Sequence, residues 1–349
     1  MNMKSKKDRL SNIELLRMVA MFLVLIVHAD YYSLGAPTFD EIQQEPTDTF
    51  FRILFEAISI VCVNVFVLIS GWFGIRPTLK GLCNFLFQSI FFLTGLYIVT
   101  LLIGTSQLSL KGLAGCIFAT KLNWFIKAYL LLYILVPVLN AFIETASRRV
   151  FKSVLIGFFI FTCTYGWSEA ADFMQRGYTT LFFIGLYLLA RYIRIYTPKW
   201  ASYKASTDLM IYIGTVLFVT LTTFLLPHLF NRAFTRFFTY VSPTTIIGAV
   251  YLLLCFTKLK FHNRFVNWCG VSCFAVFLVH VSPSTLPYFK KLFRYLHEQF
   301  STLEFWTITI IALSVIFILS ILIDKVRIKA WNYISKKFEP LLNKNIFND

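Results

Sequence analysis

The chain has 349 residues, of which 58% are hydrophobic and 14% are charged, and its mean hydropathy is +0.69. This composition excludes a soluble globular protein, in which about 25% of the residues are charged. The formal net charge of +16 does not indicate a nucleic-acid partner, because the Lys and Arg residues are spread over successive short loops.

Apolar runs long enough to cross a bilayer recur along the whole chain. At about 20 residues per span, the length leaves room for about ten helices and no sizeable soluble domain. The runs predict spans near 12–32, 50–73, 82–104, 122–142, 150–168, 178–196, 207–226, 242–258, 267–285 and 304–324. The run at 267–285 carries Asn267, Ser272 and His280, but an even number of spans requires it. We therefore predict an all-α polytopic membrane protein with one domain over 1–349.

The distribution of Lys and Arg predicts the orientation of these spans, because short cytoplasmic loops are enriched in both residues. The loop at 33–49 has neither residue and contains four acids, whereas basic residues precede the first span and follow the last one. Both termini are therefore predicted to be cytoplasmic, with basic tails at 1–11 and 325–349. No small-residue cleavage site follows the first apolar run, so we expect that run to stay in place as a helix.

Arg17 and His28 lie inside the first predicted helix, where ionisable residues are costly and usually mark a functional site. Their spacing is about three helical turns, so both side chains share one face and lie about 16 Å apart along the axis. The predicted orientation places Arg17 in the cytoplasmic half of the helix and His28 in the outer half. Glu14 lies on the same side as Arg17 and offers it a local ion pair.

The cysteines give no sign of a disulfide framework or a metal site. Cys269 and Cys273 are one helical turn apart, but no second pair of ligands lies near them in the sequence. We therefore predict no metal. The chain also has no Gly-rich phosphate loop and no serine nucleophile elbow.

Four blocks of sequence occur in a set order along the chain. They are Leu-Leu-Arg17 with His28, the segment 64–73 (Asn-Val-Phe-Val-Leu-Ile-Ser-Gly-Trp-Phe), the segment 124–137 that begins Trp-Phe-Ile-Lys-Ala-Tyr, and the segment 272–280 (Ser-Cys-Phe-Ala-Val-Phe-Leu-Val-His). Together they resemble the acyltransferase-3 family of integral membrane acyltransferases, and the resemblance covers almost the whole chain.

The resemblance implies ten core helices and transfer of an acyl group, commonly acetyl, from acetyl-CoA on the cytoplasmic side to a hydroxyl of a cell-envelope molecule. The implied acceptors are envelope polysaccharide, lipid-linked sugar or a similar carbohydrate. Acyl-CoA is then a donor substrate, and no tightly bound cofactor is expected. The implied location is the plasma membrane of a bacterial cell, in contact with membrane lipid.

Three residues are candidates for the catalytic chemistry. His28 is the candidate base, because an alcohol is a poor nucleophile until a base removes its proton and an imidazole does this near neutral pH. His280 is a candidate second catalytic histidine or acceptor contact, and Glu56, at about the depth of His28, is a candidate to orient the imidazole. The structural alternative is that each binds a neighbouring helix, with Glu56 near Arg52.

Three basic residues are candidates for binding the phosphates of the donor. Arg17 offers a fixed charge and a planar fork of donors. Arg76 and Lys80, in the next short cytoplasmic loop, would extend the same anionic site. The enrichment of basic residues in cytoplasmic loops also explains their presence.

Further candidates concern the acceptor and the developing oxyanion. Asn64 and Ser70, with Gly71, either donate hydrogen bonds to an oxyanion or allow close packing of helices. Trp124 and Tyr129 recur at helical spacing and form either a stacking wall for sugar or an ordinary interfacial anchor.

A transporter or flippase of a small or lipid-linked substrate is the alternative function. Such a protein would also use intramembrane Arg, His and Glu residues. Covalent labelling of an envelope fraction distinguishes the enzyme, whereas uptake or efflux without modification distinguishes the transporter.

Overall fold

The computed structural model describes residues 9–118 and 121–342, and within these ranges the chain forms helices and no β-strand. The first half contains α1 (Ser11–Ala29), α2 (Tyr31–Leu34), α3 (Phe39–Gln44), α4 (Pro46–Ser59), α5 (Cys62–Phe73), α6 (Leu79–Leu102), α7 (Leu110–Ile117) and α8 (Trp124–Thr145). The second half contains α9 (Arg148–Phe161), α10 (Thr180–Tyr196), α11 (Ala205–Phe230), α12 (Pro243–Lys258), α13 (Arg264–Gly270), α14 (Cys273–His280), α15 (Leu286–Gln299), α16 (Thr302–Lys337) and α17 (Glu339–Leu342). The predicted all-α class is confirmed. Parts of both predicted tails, 1–8 and 343–349, lie outside the described residues.

Seven segments of the described chain are long and apolar enough to cross a membrane. They are Ser11–Leu34, Pro46–Phe73, Leu79–Leu102, Trp124–Thr145, Arg148–Ser168, Ala205–Phe230 and Thr302–Lys337. Two shorter apolar segments, Pro243–Lys258 and Arg264–His280, and helix α10 cover the other predicted spans. The prediction of a multi-pass membrane protein is therefore confirmed.

Helices α1, α4 and α5 form the centre of the bundle. The apolar stretch of Ser11–Leu34 is 67% buried and that of Pro46–Phe73 is 72% buried, compared with 22% to 33% for the other five long segments. Helix α1 packs against α4, α5, α12, α13, α14, α15 and α16. A central helix that contacts neighbours on all sides can line internal cavities, and α1 carries both Arg17 and His28.

Helix α1 ends directly after His28, and buried polar contacts hold this end in place. The carboxylate of Asp30, where the helix stops, accepts a hydrogen bond from Arg52 Nε at 2.7 Å, and both side chains are almost fully buried. The hydroxyl of Ser33 donates to the backbone carbonyl of His28 at 2.6 Å. Because these bonds tie α1 to α2 and α4, the position of the imidazole follows from the fold.

The block at 64–73 forms α5, which approaches α10 closely. A Cβ atom added to Gly71 would lie 2.5 Å from the backbone oxygen of Tyr187. Only a glycine allows this crossing without a shift of the backbone, as in other close contacts between membrane helices. Gly71 therefore serves packing.

The predicted span at 267–285 differs from the structure in its shape. It consists of α13 and α14, which are separated at Val271 and Ser272, and it ends at His280 rather than near 285. Pro283 follows this end, and proline has no backbone N–H to continue a helix. A separate amphipathic helix, α15, comes next, and α16 continues past the predicted boundary at 324 to Lys337.

Candidate functional site

Two cavities of similar size lie along α1. The first, called here the His28 cavity, has a volume of about 400 Å³ and is lined by residues that include His28, Tyr31, Glu56, Trp124, Arg176 and Tyr240. The second, called here the Arg17 cavity, has a volume of about 420 Å³ and is lined by residues that include Arg17, Ser70, Asn84, Gln88, Tyr129 and Phe274. Arg17 and His28 of α1 therefore belong to separate cavities.

His28 and His280 form a hydrogen-bonded pair. Nδ1 of His28 lies 2.8 Å from Nε2 of His280, and Nδ1 of His280 lies 2.6 Å from the carbonyl oxygen of Val276. A carbonyl oxygen only accepts, so Nδ1 of His280 carries a hydrogen and, in the neutral ring, its Nε2 is an acceptor. His28 must then donate from Nδ1, which leaves the lone pair on its Nε2. The pair therefore selects the tautomer in which Nε2 of His28 can act as a base.

Aromatic rings surround this pair. The ring centroid of Tyr32 lies 5.1 Å from that of His28, and the centroid of Phe277 lies 5.9 Å from that of His280. His280 is 2% exposed, whereas His28 is partly exposed and lines the cavity. His28 is therefore the member of the pair that a substrate can reach.

Glu56 lines the same cavity but does not hydrogen-bond to His28. The partner of His28 is His280, which lies 252 residues away in the sequence. Glu56 is 2% exposed, and its Oε2 atom has no hydrogen-bond partner among the described residues. The hydroxyl of Tyr31, which also lines this cavity, has no partner in the described part of the chain either. Buried polar atoms without partners are costly, so both are suited to bind polar groups of a ligand.

Three aromatic side chains form one wall of the His28 cavity. The ring centroid of Trp124 lies 4.4 Å from that of Tyr178 and 6.0 Å from that of Tyr240, which it stacks against. The amide of Asn64, completely buried, donates to the carbonyl oxygen of Tyr240 at 2.9 Å. Asn64 thus holds this wall in position and does not itself line the cavity. Trp124 belongs to the wall, whereas Tyr129 lines the Arg17 cavity.

The Arg17 cavity contains two arginines that share one carboxylate. Oε1 of Glu14 lies 2.6 Å from Nη1 of Arg17 and 3.0 Å from Nη1 of Arg9. The local ion pair suggested by the sequence is therefore present. A guanidinium has five N–H donors, so this pair leaves donors of Arg17 for an anion in the cavity.

Polar side chains of α5, α6 and α8 also line the Arg17 cavity. The hydroxyls of Ser70 and Tyr129 lie 3.0 Å apart. Asn84 and Gln88 contribute amides to the lining. Arg76 and Lys80 are exposed and are not among the residues that line this cavity.

A buried ion pair on α16 holds the two amides of α6. Asp324 and Arg327 form two hydrogen bonds at 2.8 and 2.9 Å and are 0% and 4% exposed. The carboxylate of Asp324 accepts from Gln88 at 3.1 Å, and the guanidinium of Arg327 donates to Asn84 at 3.2 Å. Sequence reasoning missed all four residues. The polar character of Asn84, Gln88 and Asp324 inside apolar runs was the available signal.

A narrow apolar region separates the two cavities. It contains a space of only about 30 Å³, lined by Met21, Val24, Val63, Phe66, Phe125, Phe274 and Phe277. The ring centroid of Phe125 lies 5.5 Å from that of Phe277, and Phe66, Phe125 and Phe274 also line the Arg17 cavity. We call Phe125, Phe274 and Phe277 the aromatic constriction. Passage between the cavities requires these rings to move.

No group of three or more His, Cys, Asp and Glu side chains in residues 9–118 and 121–342 is arranged to hold a metal ion. The polar groups that face the cavities are instead a histidine, a carboxylate, arginines, amides and hydroxyls. Such a set can bind anions and polyols and can move protons.

Comparison with known protein families gives a match over most of the chain. A family model described as an acyltransferase domain matches residues 10–325. Neither a curated protein nor a solved structure matches the chain. The matched range contains all helices from α1 to α15 and, except for Arg9, the residues that line both cavities.

Proposed function

Because this chain belongs to the acyltransferase-3 family and is a multi-pass membrane acyltransferase, we propose that it moves an acetyl group from cytoplasmic acetyl-CoA to a hydroxyl of a cell-envelope carbohydrate. The proposal includes location in the plasma membrane of a bacterial cell and cytoplasmic termini. The observation that carries it is the His28–His280 pair, whose tautomer leaves a free base in a cavity suited to a sugar.

The donor binds in the Arg17 cavity. Arg9 and Arg17 offer charge and N–H donors to the phosphates of coenzyme A, and the amides of Asn84 and Gln88 offer further polar contacts. The thioester extends along α1 toward His28. The two residues of α1 are about 16 Å apart, which is comparable to the length of an extended pantetheine arm.

The acceptor binds in the His28 cavity. The wall of Trp124, Tyr178 and Tyr240 supports stacking of the apolar face of a sugar ring. The unpartnered oxygens of Glu56 and Tyr31 receive hydrogen bonds from sugar hydroxyls. A few polar groups on an otherwise aromatic lining are typical of small-molecule sites.

The reaction needs one base and no bound cofactor. Nε2 of His28 takes the proton of the acceptor hydroxyl while the hydroxyl oxygen attacks the thioester carbonyl carbon, forming the C–O bond. The C–S bond then breaks, and the proton passes from His28 to the sulfur, which leaves as the thiol of coenzyme A. The products are an acetyl ester and coenzyme A, and the histidine returns to its starting state.

The aromatic constriction lies on the path that the thioester must take. In the closed arrangement, Phe125 and Phe277 separate the donor cavity from the base. Binding of the pantetheine arm therefore accompanies rotation of these rings. Closure of the constriction without a donor keeps a continuous water path from forming across the membrane.

Mass spectrometry of envelope polysaccharides and lipids tests the proposal. We compare cells that produce the wild-type chain, the His28→Ala variant or the His228→Ala variant at equal levels with cells that lack this protein. His228→Ala is the matched control, because His228 is exposed and lies next to Gln43. We expect an acetyl mass increment with the wild type and the control only. Identical profiles in all four strains would contradict the proposal.

Transport of a small or lipid-linked substrate is the second candidate function. The observation that favours it is the pair of cavities separated by a closed constriction, an arrangement that a carrier also requires. Uptake or efflux that depends on the wild-type chain, without any acyl increment in the envelope, would support the carrier.

A further inference from the structure

A strained turn brings Arg176 to the wall of the His28 cavity. Gln175, Arg176 and Gly177 have φ values of 43°, 56° and 96°, so three consecutive residues adopt the left-handed conformation. This conformation is unfavourable for a side-chain-bearing residue and is often found where a structure must hold a functional group in place. A Cβ atom on Gly177 would lie 2.6 Å from Cβ of Tyr240, so the turn packs tightly against the aromatic wall.

The charge of Arg176 is not neutralised by the protein. Its side chain lines the His28 cavity and is exposed, and no ion pair or hydrogen bond of its guanidinium occurs within 9–118 and 121–342. The acids nearest the end of α1 have other partners, since Asp30 binds Arg52 and Asp48 binds His297. Glu56 is buried inside the cavity and forms no pair with Arg176.

A second cation, Lys290, lies beside Tyr32, which also lines this cavity. Nζ of Lys290, on α15, is 3.6 Å from the centre of the Tyr32 ring. Burial and the nearby positive charge of Arg294 lower the pKa of Lys290 below its usual value. Lys290, Arg294 and Glu298 line the same surface groove.

We propose that the acceptor carries an anionic group, a phosphate or a carboxylate, and that Arg176 binds this group while Lys290 adds a second positive charge at Tyr32. The inference rests on the proposed function and names the class of its acceptor. A guanidinium presents paired N–H donors that match the oxygens of both anions. The sugar hydroxyl that reacts then lies near His28, and the anionic group lies near the strained turn.

Transfer of label in isolated membranes tests this inference. Membranes from acceptor-containing cells that produce the full chain are incubated with radiolabelled acetyl-CoA, and the alkali-labile product is applied to an anion-exchange resin. The wild type is compared with Arg176→Gln, Arg176→Lys and Arg232→Gln. Arg232 is the matched control, because its guanidinium stacks on Phe234 and does not line the cavity.

We expect the labelled product to bind the resin. Loss of a hydrogen bond to a charged group predicts a decrease of about tenfold or more in the initial rate for Arg176→Gln at limiting acceptor. Arg176→Lys should decrease the rate less, since it keeps the charge, and Arg232→Gln should match the wild type. Added salt should slow the wild type more than Arg176→Gln, because salt screens exposed charges.

The outcomes separate this inference from the proposed function. A labelled product that passes through the resin, or an unchanged rate in Arg176→Gln, would overturn the anionic acceptor and leave the transferase in place. Absence of any labelled product with the wild type would overturn both. Washing the resin at a pH of about 2 distinguishes the two anions. A carboxyl group is protonated at this pH and the product elutes, whereas a phosphodiester stays ionised and the product remains bound.

Discussion

The hydrogen bond between His28 and His280 makes a quantitative prediction for His280→Leu. The substitution removes the only acceptor that Nδ1 of His28 has among the described residues. The imidazole then either keeps a buried N–H without a partner or changes to the tautomer whose Nε2 is protonated and cannot act as a base. An unsatisfied buried donor costs about 1–3 kcal/mol. The fraction of His28 in the active tautomer should therefore fall by about 5- to 150-fold.

The assay is the rate of label transfer from acetyl-CoA at saturating donor and acceptor, which reports kcat. His280→Leu should lose about 5- to 150-fold in kcat, less than His28→Ala, which removes the base itself. His280→Gln should recover much of the loss, because its amide oxygen can accept the hydrogen bond from Nδ1 of His28. His228→Leu is the control for substitution of a histidine elsewhere in the chain.

Two results would refute this reasoning. Wild-type kcat in His280→Leu would mean that the partner of Nδ1 is unimportant for the chemistry. Equal losses in His280→Leu and His280→Gln, with equal thermal stability in detergent, would mean that His280 acts through packing against Phe277 and Phe289 rather than through its acceptor nitrogen.

Three further substitutions have expected outcomes. Arg17→Ala should raise the Kd of acetyl-CoA about tenfold or more in equilibrium binding to purified protein, whereas an unchanged Kd would place the phosphates elsewhere. Phe274→Ala, which widens the aromatic constriction, should raise the rate with butyryl-CoA relative to acetyl-CoA, and an unchanged ratio would remove the constriction from the donor path. Arg52→Met leaves the fully buried carboxylate of Asp30 unpaired and should destabilise the protein by about 3–5 kcal/mol. The Tm in detergent should therefore fall, and a wild-type Tm would contradict this prediction.

The sequence predicted the helical class because apolar runs of membrane length are a local property of the chain. It also predicted that Arg17 and His28 share α1, since their spacing fixes their relation on any unbroken helix. It did not predict the amphipathic helix α15, whose Lys and Arg residues make it too polar to read as a span. The contact between Lys290 of α15 and Tyr32 could not be predicted either, because only the tertiary structure brings these two residues together.

The partners within the site were harder to predict, because they join residues that are far apart in the chain. Depth along the helices suggested Glu56 as the neighbour of His28, and the structure does bring both to one cavity. Depth does not specify which faces of two helices meet, and α14 turns His280 toward Nδ1 of His28. The same reason explains why Asn84 and Gln88 were missed, since their partners on α16 are more than two hundred residues away.

For a base inside a membrane, a histidine partner differs from a carboxylate partner in the charge that the pair buries. A pair of neutral imidazoles avoids the desolvation penalty of a buried charge. In the proposed reaction, when Nε2 of His28 takes the proton, the hydrogen bond from its Nδ1 to His280 becomes charge-assisted and therefore stronger. The interaction thus stabilises the state in which the proton has moved more than the resting state, which is what lowers a barrier. Glu56 lies in the same cavity without a bond to the ring, and its Oε2 atom has no partner among the described residues, so it is available to the proposed acceptor.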